Sequence, residues 1–184
     1  MMRSRMRVFA VVLALTAVPL VGIDARQAGK VSGTLVVNGK KIPVQHISAV
    51  TYDTASQGRM VSVLVSDKPA DPAKFREYTR IGPGERYVPG MITGAWVTMH
   101  VDDKAFSGFQ FTIDPKQRVL LNDVFVGTRN DNFSILDDYL VLELKTLTPR
   151  VTGRLRTKDA VVDLGSQKVG IDLTFDAPLS EVGK

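Results

Sequence analysis

The sequence predicts an all-β fold: a single antiparallel β-sandwich or partly open barrel of about nine strands, with one short helix at residues 71–81. Apolar and polar residues alternate with period two over most of the chain after residue 30, which is typical of half-buried strands. Turn sequences rich in Gly, Asn, Asp and Pro separate these segments. No flexible linker interrupts the pattern, so residues 26–184 are predicted to form one domain.

The composition excludes several classes of protein. The 184 residues are 44% hydrophobic and 23% charged, which is typical of a globular protein and argues against disorder. The chain has no cysteine, which excludes disulfide bonds, cysteine-ligated zinc sites and thiol nucleophiles. We expect no cofactor.

Residues 1–25 have the pattern of a signal peptide. Arg3, Arg5 and Arg7 precede an apolar segment at residues 8–22, which is short for a membrane-spanning helix of about 20 apolar residues. Cleavage after Ala25 would remove three arginines and Asp24 and leave a net charge of 21 − 18 = +3. The sequence therefore predicts a secreted or periplasmic protein. The alternative is a periplasmic subunit anchored through residues 8–22, and the sequence predicts membrane contact only in that case.

Asn38-Gly39 is the dipeptide of a type I′ hairpin turn. Centring the turn there places Val37 opposite Lys40, Leu35 opposite Ile42 and Val31 opposite His46.

Three other hairpins are predicted from the alternation of side chains. A turn at residues 147–150 places Leu142 opposite Leu155 and Glu143 opposite Arg154. A turn at residues 165–168 places Val162 opposite Ile171, and a turn at Asp103-Lys104 places Trp96 opposite Phe111. Residues 31–35 and 151–155 share the pattern V-x-G-x-L, a faint internal repeat.

The helix at residues 71–81 is predicted from its ends. Asp71 can cap it, Pro72 suits the first helical position, and Gly82 can terminate it.

His46 and His100 are the two histidines of the chain and weak candidates for ligand binding. His46 lies on the apolar face of its predicted hairpin, where a hydrogen-bonded core imidazole is the more common role. His100, Ser107 and Asp102 suggest a hydrolase, but adjacent positions on one strand face are about 7 Å apart, which suits a catalytic triad poorly. We therefore predict no catalytic residue, with a secreted hydrolase that uses His100 and nearby acids as the alternative.

Three further residues are weak candidates for ligand binding. Trp96 could stack on a ligand, although aromatic residues more often fill cores. Arg154 and Arg156 begin a basic row that could bind a polyanion, or protect a sheet edge from aggregation. The low mature charge and the predicted export argue against a nucleic-acid partner.

Asp131, Asp137 and Asp138 offer carboxylate oxygens that suit Ca²⁺. They lack the spacing and the glycine of an EF-hand loop, and turns are rich in Asp in any case. We therefore expect no metal site, with these residues as weak candidates.

Four segments resemble a family of small exported bacterial β-rich proteins of uncharacterised function. They are GTLVVNGKKIPVQHISAV, VSVLVSDKPADPAKF, VTGRLRT and KVGIDLTFDAPL. The histidine of the second strand recurs in that family, so the resemblance implies a structural role for His46. It also implies a β-rich fold and export, with no reaction. The sequence thus predicts a non-catalytic binding or structural module of the envelope or the extracellular space, and names no partner.

Overall fold

A computed structural model describes residues 28–76, 89–93, 97, 106–127 and 132–181. Within these residues, eleven strands form one curled mixed sheet, a half-barrel. The strands are β1 (Lys30–Val37), β2 (Lys40–Ile42), β3 (His46–Thr54), β4 (Gly58–Ser66), β5 (Gly108–Ile113), β6 (Val119–Phe125), β7 (Asn132–Ser134), β8 (Leu140–Thr146), β9 (Arg150–Thr157), β10 (Val162–Asp163) and β11 (Lys168–Glu181).

The long strand β11 joins the two halves of the sheet. One half has the order β2-β1-β11-β9-β8, and the other runs from β11 through β3, β4, β5 and β6 to β7. β11 is antiparallel to β1 and β9, but its last residues run parallel to β3, with Leu179 opposite Ala49. The prediction of a mostly β fold is therefore confirmed. The prediction of a purely antiparallel sandwich is not, because β11 extends into both halves and its end runs parallel to β3.

The faint repeat lies on the two edges of β11. Leu173 of β11 has Gly33 of β1 on one side and Leu155 of β9 on the other. Gly33 has a φ of +123°, and a Cβ atom there would collide with the carbonyl oxygen of Asp172. Only glycine permits this close approach of backbones.

Two apolar clusters cover opposite faces of β3 to β6. The larger cluster fills the concave side of the curled sheet, where the Phe111 ring contacts Phe109 and Phe175 at centroid distances of 5.7 and 5.5 Å. The smaller cluster includes Phe75 and Ile92 from the connection between β4 and β5, which covers the other face. As a result, every residue of β5 is buried.

The predicted helix at residues 71–81 is wrong. Pro72–Arg76 forms a 3₁₀ turn, and residues 77–81 lie outside the described part. In an α-helix, the carbonyl of Phe75 would accept a hydrogen bond from the N–H four residues later in the chain. Here it accepts one from the Gly90 N–H at 2.9 Å. So short a helix is marginal by itself, and the contact with Gly90 competes with it.

The hairpin predictions have mixed outcomes. The pairs Val37–Lys40 and Leu35–Ile42 are confirmed, as are the pairs of Leu142 with Leu155 and Glu143 with Arg154.

Two predicted registers are wrong. Val31 pairs with Phe175 rather than His46, because Pro43 lacks the N–H that would continue β2. Val162 pairs with Val169 rather than Ile171, because the Leu164 N–H donates to the Gln167 carbonyl at 2.8 Å and closes a tighter turn.

The predicted pairing of Trp96 with Phe111 is also wrong. Phe111 lies in β5, whose two edges are occupied by β4 and β6. Trp96 itself lies outside the described residues.

Candidate functional site

His46 begins β3, is half-buried, and lies opposite Ser66. The Ser66 hydroxyl donates to the backbone carbonyl of Lys68 at 2.7 Å. The serine proton is therefore directed at the backbone, and the pair does not have the arrangement of a nucleophile and its base. His100 lies outside the described residues, and the hydrolase alternative stays a prediction.

Arg154 and Arg156 lie on the solvent-facing side of β9, in a row of ion pairs. Arg154 donates from Nε and Nη2 to the two carboxylate oxygens of Asp172, both at 2.8 Å. Arg156 contacts Glu143 at 3.5 Å. The hydrogen bond from Arg154 and its charge hold the pKa of Asp172 below its usual value, against the effect of burial.

This pairing changes the interpretation of the basic row. Arg150 donates from Nε to Asp176 at 2.7 Å, so each of the three guanidinium groups has a carboxylate partner. A polyanion at this row would compete with these carboxylates for the guanidinium groups, although exposed ion pairs of this kind are weak.

Two of the three candidate calcium ligands lie within the described residues. Asp137 and Asp138 lie exposed in a 3₁₀ turn, where the Asp138 N–H donates to the Asp137 carboxylate at 3.2 Å. Asp131 lies outside the described residues. Within the described ranges, no three His, Asp or Glu side chains are grouped as metal ligands would be.

A groove of about 530 Å³ opens beside β6 and is here called the bulge groove. Its lining combines apolar side chains with acidic and amide groups. The lining residues are Gln57, Met91, Leu120, Leu121, Asn122, Asp123, Ser134, Ile135, Leu136 and Asp137.

A β-bulge shapes this groove. Two residues of β6, Leu121 and Asn122, oppose the single residue Phe111 of β5. Leu121 adopts a φ of +51°, a left-handed conformation that costs a non-glycine residue about 1–2 kcal/mol. Bulges of this kind are common beside binding sites, where they redirect a side chain.

The bulge directs apolar surface into solvent. Leu121 is 44% exposed and Leu136 is 64% exposed. In the part of the chain that the structure describes, the third large exposed hydrophobic residue is Val161, which does not line this groove. Two of the three thus meet at one place, as expected for a binding patch.

Asn122 supplies a buried polar group to the groove lining. The residue is 4% exposed, its amide nitrogen donates to the Ile135 carbonyl at 3.4 Å, and its backbone carbonyl accepts from the Ile135 N–H at 2.9 Å. Its Oδ1 atom has no hydrogen-bond partner among the described residues. Buried acceptors are nearly always paired, so this atom is unusual among the described residues.

A buried polar cluster lies on the neighbouring positions of the same sheet face. Thr112, opposite Leu120, accepts from the Gln110 amide at 3.2 Å and lies 3.5 Å from the Ser62 hydroxyl. The Tyr52 hydroxyl has no partner at hydrogen-bond geometry in the described structure. Burial raises the pKa of Tyr52, and the nearby hydroxyls of Thr112 and Ser62 only partly oppose this.

Two other grooves have charges that are already balanced. One, of about 420 Å³, is lined by Arg59 and Glu181, which form an ion pair at 3.0 Å. The other, of about 370 Å³, is lined by Arg156, Lys158, Asp159 and Asp172. Neither groove contains a strained residue or an exposed leucine.

The bulge groove is not among the sites predicted from the sequence. The available signal was the run Val119-Leu120-Leu121, in which consecutive apolar residues break the period of two. A strand with one polar face cannot bury all three, so the run indicates either a bulge or an exposed leucine.

No helix in the described ranges has the length and apolar character needed to cross a membrane. Searches of family models, curated proteins and solved structures find no match to this chain.

Proposed function

We propose that the chain is an exported, non-catalytic binding module and that it binds its ligand in the bulge groove. The observation that carries this proposal is the strained bulge, which presents Leu121 to solvent beside Leu136. A backbone conformation that costs stability persists where the surrounding structure enforces it, and such positions cluster at binding sites.

The lining sets the ligand chemistry and the affinity. Covering two half-exposed leucines contributes about 2 kcal/mol in total, and Met91 and Leu120 add further apolar contact. An apolar group of a small molecule or peptide therefore fits, with weak affinity of the order of millimolar, about 4 kcal/mol.

The proposal of export rests on Arg3, Arg5, Arg7 and the apolar residues 8–22. Mass spectrometry of the protein recovered outside the cytoplasm tests it. We expect a new N-terminus at Arg26, and an intact Met1 would contradict cleavage.

Binding is tested with a neutral, environment-sensitive dye such as Prodan. We expect dye fluorescence to rise with the full chain, and the affinity to fall about five- to tenfold in Leu121→Asp and Leu136→Asp. Val161→Asp is the matched control, because Val161 is 52% exposed outside the groove. Equal affinity in all three variants would refute the site, and unchanged circular dichroism confirms that the variants fold.

A further inference from the structure

Among the described residues, the charged side chains that line the bulge groove are acidic. Its charged lining residues within the described part are Asp123 and Asp137, and no lysine or arginine lines it. Asp123 accepts a hydrogen bond from the Ser134 hydroxyl at 2.6 Å. The Asp137 carboxylate is exposed and accepts only the adjacent backbone N–H of Asp138 among the described groups.

The polar groups of the lining are mostly hydrogen-bond acceptors. Asn122 Oδ1 has no hydrogen-bond partner among the described residues, whereas the Asn122 amide nitrogen and the Ser134 hydroxyl already donate within the protein. Gln57 is the remaining side chain of the lining that can donate. The groove therefore combines exposed leucines with the carboxylates of Asp123 and Asp137 and with few free donors among the described residues.

Resting on the function proposed above, we propose that the bulge groove selects a cationic amphiphile. The apolar part of the ligand covers Leu121 and Leu136, and its ammonium or guanidinium group lies at the acidic rim beside Asp137. Charge complementarity at a rim sets specificity more than affinity. The mature chain has a net charge of +3, which would favour anions if only the overall field mattered, so a preference for cations is specific to this groove.

The test uses three probes with the same alkyl chain: octylammonium, octanoate and 1-octanol, each below its micelle concentration. They compete with the neutral dye on the full chain at low salt. We expect octylammonium to displace the dye at a concentration about tenfold lower than octanoate, with 1-octanol between them.

Variants locate the effect. Asp137→Asn is expected to reduce the preference for octylammonium over octanoate to about threefold or less. Asp159→Asn, an exposed carboxylate outside this groove, is expected to leave it unchanged.

The possible results separate the two proposals. If all three probes displace the dye equally, or if Asp137→Asn leaves the preference intact, selectivity for cations is wrong while the binding function stands. If none displaces the dye, both proposals fail.

Discussion

Leu121 combines a φ of +51° with a side chain that is 44% exposed. Each feature is unfavourable for leucine, because the left-handed conformation crowds its Cβ atom and water surrounds much of its apolar surface. The sequence shows that the run of residues 119–121 is irregular, but not which residue is the extra one. That depends on Phe111 of β5, which opposes both Leu121 and Asn122, and this contact is not local in the sequence.

The substitution Leu121→Asn tests whether the backbone of residue 121 is strained. Asparagine tolerates the left-handed conformation better than leucine, whereas Leu136 has an ordinary backbone, so Leu136→Asn loses an exposed leucine without relief of strain. We expect Leu121→Asn to be more stable than Leu136→Asn by about 1 kcal/mol, measured by urea unfolding. Both variants should bind the neutral dye more weakly. A less stable Leu121→Asn would show that the bulge is not strained at this residue.

At the scale of elements, the turn between β5 and β6 illustrates what sequence can predict. Asp114 and Pro115 are residue types that favour turns, and the Asp114 carboxylate accepts hydrogen bonds from the Arg118 N–H at 2.7 Å and from Arg118 Nε at 2.8 Å. Burial raises the pKa of Asp114, but these hydrogen bonds and the Arg118 charge outweigh it and hold the pKa below its usual value.

The sign of this shift gives a pH dependence. Because the pKa of Asp114 is lower in the folded state, the turn contributes stability above the unfolded pKa of about 3.9 and loses it as the pH falls through the folded pKa. We expect Asp114→Asn to cost about 1.5 kcal/mol at pH 7, and less at pH 2.5.

Urea unfolding at the two pH values measures this difference, with Asp159→Asn as an exposed control. A cost that is the same at both pH values would show that the carboxylate charge does not stabilise the turn.

Strands were predicted well where the apolar pairs and the charged pairs across a hairpin required the same register. The β8–β9 register followed from one alignment that placed Leu142 opposite Leu155 and Glu143 opposite Arg154. The helix at residues 71–81 failed because the Gly90 N–H competes for the Phe75 carbonyl, a contact that capping residues cannot reveal.

At the scale of the whole molecule, β11 connects the two halves of the sheet. Leu173 is fully buried, with neighbours in β1 and β9, and the end of β11 pairs with β3. The sequence predicts β11 as a strand through its alternation, but the partners on its two edges come from distant parts of the chain. Only the faint repeat at residues 31–35 and 151–155 hinted at them.

We expect the two halves to unfold as one cooperative unit. Leu173→Ala should lower global stability by about 3 kcal/mol through lost burial and a cavity. Hydrogen exchange should show the same loss of protection in β9 and in β5, which belong to different halves. Leu136→Ala, at a 64% exposed position, should change stability by less than about 0.5 kcal/mol. A loss confined to β9 would mean that the halves are independent.

The central claim is that the bulge beside β6 is a binding site, and chemical-shift mapping by NMR during titration with 1-octanol tests it most directly. The account predicts saturable shifts concentrated at residues 120–123 and 134–137, with little change at Val161 or along the ion pairs of β9. Shifts concentrated elsewhere, or none at millimolar ligand, would contradict it.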